Sequence, residues 1–354
     1  KKYSLDGYLI PKNDEYFSEY VPLQRDYLQY ISNFSGSYGL ALILKKNNFL
    51  LVDGRYTVQA NIQSGRNFEV LTLPINKNKK VLKLKNKIIG FDPKLFTEPF
   101  IEQFSKKLDT KCIAINNNLV GFIKNKKNNI IKKKKFYVLD KSITGENSLH
   151  KIRNLKKYFF KNNIDMMLIT STENIAWLLN IRGFDSEYSP IPNCVLIIDK
   201  KMRIFLFCNL KKIEKKLKKK LNFIYFLEID ELENFLQRIR SHNFLVDDLT
   251  CSIFYKNIIK RNNYVLKNKD PIYFFKSQKN KIEIKNTKKI HEYDGAALTK
   301  FLFWVQKNFK KEKITEMTAQ KKLLNFKKKF KKFKCPSFPT ISSTGPNGAV
   351  VHYN

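Results

Sequence analysis

The sequence is poor in residues that build covalent or metal frameworks. Its five cysteines, Cys112, Cys194, Cys208, Cys251 and Cys335, are odd in number, scattered, and never spaced as C-x-x-C. That spacing argues against a disulfide scaffold or a cysteine zinc site. Three of them lie in or beside apolar runs and read as buried thiols. Acidic residues are scarce, 31 against 68 basic ones, giving a formal net charge of +37. Only nine of the 68 are arginine, the side chain suited to bidentate contacts with phosphates and bases, and the lysines spread along the whole chain. This pattern reads as a lysine-rich composition on solvated faces, with no specific nucleic-acid partner. No run of 18 or more apolar residues exists, so no membrane span is expected. The start, Lys1-Lys2-Tyr3-Ser4-Leu5-Asp6, has neither a signal-peptide core nor an initiator Met. The expectation is a processed or incomplete start and a reducing, cytoplasmic compartment.

Familiar catalytic signatures are missing too: no H-E-x-x-H, no G-x-S-x-G, no G-x-x-x-x-G-K-[ST]. Ser35-Gly36-Ser37-Tyr38-Gly39 leads into a strand rather than a helix and reads as a turn, not a phosphate loop. Asp247 and Asp248 are neighbours on a strand end, so they face opposite ways and form no acid/base pair; solvation of the strand end is the expected role. His150, His242 and His291 lack acidic or cysteine partners at ligand spacing and read as surface or capping residues.

What is present is ample material for cores, with 43% hydrophobic and 14% aromatic residues over 354 positions, enough for two or three domains. A short strand at 8–11 precedes a helix at 23–32. Strands at 40–44 and 49–52 are joined by the Lys45-Lys46-Asn47-Asn48 hairpin, and strands at 68–73 and 88–93 follow. A strand end passes into a helix at Asp53-Gly54-Arg55-Tyr56-Thr57-Val58-Gln59-Ala60. The lysine-rich stretch 124–135 reads as a surface connection near a domain boundary. The same order then returns: strand 166–169, helix 174–181, strand 194–198, hairpin 199–201 and strand 202–207. Corresponding strands lie about 155–160 positions apart, which signifies a duplicated domain. Residues 210–224 carry an apolar stripe of Leu210, Ile213, Leu217, Leu221 and Ile224, predicting an amphipathic helix.

From about 279 the texture changes to two helices. The first carries Ile290, Ala297, Phe301, Trp304 and Val305. The second starts at Thr315, an N-cap with Glu316 in the first turn, carries Leu323, Phe326, Phe330 and Phe333, and is stopped by Pro336. The last stretch, Ser337 to Asn354, reads as two strands about a Gly345-Pro346-Asn347-Gly348 turn, ending at His352. Taken alone, His352 is more readily structural than catalytic, and Arg55, which follows Asp53-Gly54 at a strand end, more readily a local ion-pair partner than a ligand-binding residue.

The runs Val52-Asp53-Gly54-Arg55-Tyr56, Asn174-Ile175-Ala176-Trp177-Leu178-Leu179-Asn180-Ile181-Arg182-Gly183, His291-Glu292-Tyr293-Asp294-Gly295 and Ser337–Tyr353 resemble the long, three-domain Xaa-Pro aminopeptidases. These belong to the M24 metallopeptidases, with creatinase, prolidase and methionine aminopeptidase. The resemblance implies an α/β architecture of two creatinase-N-like domains with mixed sheets, at 1–140 and 141–276. The beginning of a pita-bread α+β catalytic domain would follow at 277–354. It implies release of the N-terminal residue from peptides with proline second, by two Mn²⁺ ions and a bridging hydroxide. His352 matches the family's active-site histidine, as catalytic and substrate-binding residue. Arg55 matches an arginine reaching toward substrate. All five expected metal ligands would lie beyond Asn354, so no metal ligand is named and the chain alone is expected to be inactive. A homodimer is implied. The alternative is a non-catalytic creatinase-like module for binding or dimerisation.

Overall fold

The apolar runs of the first third become strands because each is short, carries β-branched or aromatic residues and is bounded by turn formers. In the computed structural model, which describes residues 3–124 and 134–353, they are β1 (Gly7–Pro11), β2 (Gly39–Leu44), β3 (Asn48–Val52), β4 (Glu69–Thr72), β5 (Ile88–Phe91) and β6 (Lys111–Ala114). The sheet order is β4-β3-β2-β1-β5-β6. β1, β2 and β3 pair antiparallel, whereas β3–β4, β1–β5 and β5–β6 are parallel. Most of the lysine-rich 124–135 stretch lies outside the described residues.

The strands β7 (Tyr137–Val138) and β9 (Ile181–Arg182) form a two-stranded ribbon. A second sheet is built from β8 (Met166–Ile169), β10 (Cys194–Asp199), β11 (Ile204–Cys208), β12 (Ile224–Glu228), β13 (Asn243–Val246) and β14 (Tyr264–Lys267), in the order β12-β11-β10-β8-β13-β14. Parallel and antiparallel pairings fall where they do in the first sheet. Gly7 and Met166 open equivalent strands 159 positions apart, and Gly39 and Cys194 open the next pair 155 apart. The duplication read from the sequence is therefore a duplicated mixed sheet.

Both sheets are covered on both faces, which is why their strands read as continuous apolar runs rather than alternating ones. Leu9, Leu42, Phe49, Leu51, Ile89 and Phe104 pack on one side of the first sheet, and Tyr8, Ile10, Ala41, Leu50, Val52 and Tyr56 on the other. In the second sheet, Met167, Ile169, Leu196 and Ile198 face one core, and Met166, Leu168, Val195 and Ile197 the other. Cys194, Cys208 and Cys251 are buried free thiols, as expected.

Several local expectations are corrected. The helix expected over 23–32 begins only at Tyr27, because Asp26 caps it by accepting the Gln29 N–H, and Leu23 stays exposed. The helix expected over 210–224 is broken: a short 3-10 turn at Leu210–Lys212, extended backbone at Ile213, a six-residue helix at Lys215–Lys220, and then β12. Parallel pairing of Ile224 with Ile204 outweighs the helical stripe there.

The chain separates into two units, residues 1–138 with 147–277, and residues 139–146 with 278–354. In the second, the helix Lys281–Asn308 starts from a capping box, Asn280 accepting the Ile282 and Glu283 N–H groups while Glu283 accepts the Asn280 N–H. The expected Thr315 cap is present, accepting the Thr318 N–H for the helix Glu316–Lys328. That helix ends at Lys328, well before Pro336, so proline is not its stop. Tyr293 of the first helix stacks on Phe330, ring centroids 4.1 Å apart, and Lys327 pairs with Asp294 at 2.8 Å. Along the first helix only Ala297 is buried; Ile290, Leu302 and Phe303 are exposed. The expected terminal β-hairpin is absent. Residues 345–349 form a 3-10 turn, and no strand lies among the described residues after 337. Among the described residues no neighbouring strand pairs with this segment; a side chain, Glu316, takes the Thr344 N–H instead.

Candidate functional site

Arg55 sits in the turn that closes β3 and opens the helix Thr57–Ser64. Asp53 organises that turn. Its Oδ1 accepts the Arg55 backbone N–H at 2.9 Å and the Arg55 Nε at 3.0 Å, and its Oδ2 accepts a second guanidinium nitrogen at 2.6 Å. The fork is bidentate, and the guanidinium also lies 5.4 Å from the Tyr56 ring centroid. Tyr56 itself is buried, its hydroxyl 2.7 Å from Ser37 Oγ. Half of the Arg55 side chain remains exposed, so it can make further contacts while keeping this pair.

His352 lies in the second unit, in a turn just after the 3-10 segment Gly345–Ala349, half-buried and not at the mouth of a strand. Backbone bonds from Val350 N–H to Asn347 O and from Tyr353 N–H to Val350 O, each 3.1 Å, shape that turn. The carboxylate of Glu316 holds its flanks. It accepts the Thr344 N–H at 2.6 Å and the Asn347 amide through both oxygens at 3.1 Å. The Tyr353 hydroxyl bonds the same carboxylate and accepts from Asn347 at 3.0 Å. Partial desolvation pulls the Glu316 carboxyl upward, but these bonds outweigh it and leave it below its ordinary value. Arg55 and His352 thus belong to different units.

The other histidines behave as expected. Asn147 Oδ1 accepts the His150 N–H at a helix start, His291 Nδ1 sits 2.8 Å from Thr287 O on an exposed helix face, and His242 Nδ1 lies against Arg240 O. The acidic neighbours Asp247 and Asp248 do not. Asp247 is buried, accepting the Asp270 N–H at 2.9 Å, and Asp248 pairs with Lys256. Neither solvates a strand end. Asp270 is also buried, bonded by Asn174 Nδ2 at 2.7 Å and by the Ile272 N–H at 2.8 Å. Burial pushes its carboxyl up to about 6 against those bonds. Sequence spacing gave no sign of this cluster, whose members are 23 and 96 residues apart.

Among the described residues, no group of three or more His, Cys, Asp or Glu side chains could hold a metal ion. The described residues do not fit a metal centre. Cavities of about 400 and 620 Å³ occur in the first unit, the first walled by Phe96, Phe100 and Phe104, the second by Glu15, Asp92 and Tyr255; Arg55 lines neither.

Residues 1–120 and 127–283 each match the Creatinase/Prolidase N-terminal domain, and residues 285–354 match Metallopeptidase family M24. The chain therefore carries two creatinase/prolidase N-terminal domains followed by a segment of a family M24 metallopeptidase domain. Its relatives include a probable Xaa-Pro aminopeptidase P of Laccaria bicolor, 29% identical over 100% of this chain and 57% of the relative. Xaa-Pro aminopeptidase 1 of Dictyostelium discoideum is 28% identical, over 100% of this chain and 60% of the relative. The chain thus spans about three-fifths of the length of these relatives. The fold matches the crystal structure of the X-prolyl aminopeptidase of Caenorhabditis elegans, described as a cytosolic enzyme with a di-nuclear active site. That match has a TM-score of 0.90 and 24% identity, over 99% of this chain and 60% of that one.

Proposed function

We propose that the chain serves an Xaa-Pro aminopeptidase, which hydrolyses the bond between an N-terminal residue and a following proline. The observation that carries this reading is the position of His352 inside the segment matched by Metallopeptidase family M24, in a chain similar over its whole length to Xaa-Pro aminopeptidases. In this reading the organisation is two creatinase-like domains at 1–140 and 141–276 followed by catalytic-domain residues at 277–354. His352 contacts the reacting peptide. Its imidazole can donate or accept a hydrogen bond near neutral pH, as stabilising a peptide under attack requires. Arg55 offers the outer face of its guanidinium to the substrate while Asp53 fixes the inner one.

A pair of metal ions, taken as Mn²⁺, would supply the hydrolytic chemistry; none of the described residues is assigned to hold them. No helix of the described residues is long and apolar enough to cross a membrane, and the reading places the enzyme in the cytoplasm as a homodimer. The test is to express the intact protein from its gene with Mn²⁺ and supply Xaa-Pro-Xaa and Xaa-Ala-Xaa peptides. Release of the first residue is expected only before proline, and is lost in H352A. Indifference to proline, or full activity in H352A, would sink the reading.

A further inference from the structure

Glu316 is a single residue that collects bonds, on its backbone carbonyl and its carboxylate, from points 26 to 37 residues away in sequence. Its own backbone carbonyl accepts Ser342 Oγ at 3.1 Å. Its side chain then takes the Thr344 N–H, the Asn347 amide and the Tyr353 hydroxyl. These anchors bracket residues 345–352 on both sides. Between them the chain runs through a 3-10 turn closed by the Val350 N–H to Asn347 O bond and followed by the Tyr353 N–H to Val350 O bond, with no strand partner among the described residues. The carboxylate is at the first position of the helix Glu316–Lys328, where the unpaired N–H groups and the helix dipole favour negative charge. It therefore stays ionised as an acceptor for several donors at once, and the Thr315 cap holds the helix start beneath it.

We infer that Glu316 is a positioning residue: its carboxylate sets the course of the 344–353 segment and so the placement of the His352 imidazole. The inference rests on the reading of His352 as the substrate-contacting histidine. Three donor groups converge on one carboxylate, and the geometry makes a distinction among substitutes. Glu316→Gln keeps one acceptor oxygen but turns an NH₂ toward the Asn347 NH₂, so it restores part of the set. Glu316→Ala restores none.

The test is hydrogen exchange and histidine NMR on the 354-residue chain. In E316A, the Thr344 amide is expected to exchange at least about tenfold faster, and the His352 ring signals to shift and broaden. Amides within Lys281–Asn308 should keep their protection, which reports that the unit is still folded. E316Q should fall between wild type and E316A. Unchanged Thr344 protection and unchanged His352 signals in E316A would overturn the inference. Activity separates it from the reading on which it rests. If E316A moves the His352 signals and, in the intact protein, lowers kcat more than it raises KM, both stand. If H352A leaves the intact protein fully active, the reading of His352 fails, while the NMR result still decides whether Glu316 positions the segment.

Discussion

Lys256, only 2% exposed, reaches from the second creatinase-like domain to the Glu98 carboxylate of the first. The same ammonium lies 2.5 Å from Asp248 Oδ1, and Lys267 bonds Glu98 from the other side at 3.0 Å. Two backbone bonds run alongside, Ile253 N–H to Phe96 O at 2.9 Å and Phe254 N–H to Pro93 O at 3.0 Å. Desolvation raises the Glu98 carboxyl, but the lysine bonds outweigh it and hold it below its ordinary value.

Removing the cation from this group leaves two half-buried carboxylates facing one another. Replacing Lys256 by Met is expected to cost about 3 kcal/mol, since breaking a buried pair strands the partner charge. Lys267 compensates only in part, being 58% exposed. Urea unfolding would show it, and the triple change K256M/E98Q/D248N should recover much of the loss. A K256M variant as stable as wild type would show that the network contributes nothing net.

Asp270 gives a pH signature of the opposite sign from an ordinary ion-paired acid. Its folded-state pKa of about 6 lies above the ordinary 3.8, so the native state binds its proton more tightly than the unfolded chain does. Its contribution to stability is therefore full below about 4 and is lost as pH rises through about 6, a swing of up to about 3 kcal/mol. In D270N, Asn174 can turn its amide so that Oδ1, now without a hydrogen-bond partner, accepts from the new amide. D270N is expected to be about 1 to 3 kcal/mol more stable than wild type at pH 7, the difference shrinking as pH falls to 4. Guanidinium titrations at both pH values check the sign.

Arg55 should matter to substrate and hardly at all to folding. The Arg55–Asp53 pair is half exposed on the arginine side, and such pairs contribute about 0 to 1 kcal/mol. R55A is expected to leave the unfolding midpoint nearly unchanged, yet to raise KM for Xaa-Pro-Xaa peptides in the intact protein with a smaller effect on kcat. A large loss of stability with unchanged KM would assign Arg55 to structure alone.

Gly145 cannot carry a side chain. Its φ is +71°, and a Cβ there would sit 2.2 Å from Asn280 Oδ1, the oxygen that caps the long helix. The Asn280 amide also donates to Thr144 O at 2.8 Å, tying residues 139–146 to the helix start. G145A combines backbone strain with displacement of a cap, and a loss of about 2 kcal/mol is expected in thermal unfolding of the second unit.

Much of this was legible in the sequence because the forces are local. Apolar runs bounded by turn residues marked five strands of the first sheet and β8, β10 and β11 of the second, though not β6, β12 or β14, and their recurrence some 155 positions apart marked the duplication. The Thr315 cap and the Ala297 face of the long helix could be read from spacing alone. What misled was a local pattern overridden from a distance: Leu221 and Ile224 fit a helical stripe, yet Ile224 pairs with Ile204 in β12. Likewise Val350 and Val351 read as strand but have no strand beside them among the described residues.

The amino-acid sequence by itself determined most of the elements and their repeated order, since periodicity is a property of near neighbours, whereas His352 and Arg55 stood out as candidates only through the family resemblance. Tertiary structure alone decided which polar and charged groups meet. Lys256 and Glu98 are 158 residues apart, Asn174 and Asp270 are 96, and Glu316 and Asn347 are 31. No spacing rule links such pairs. They meet because sheets and helices pack their apolar faces first, and the polar groups brought along must then find partners or bear the cost of burial.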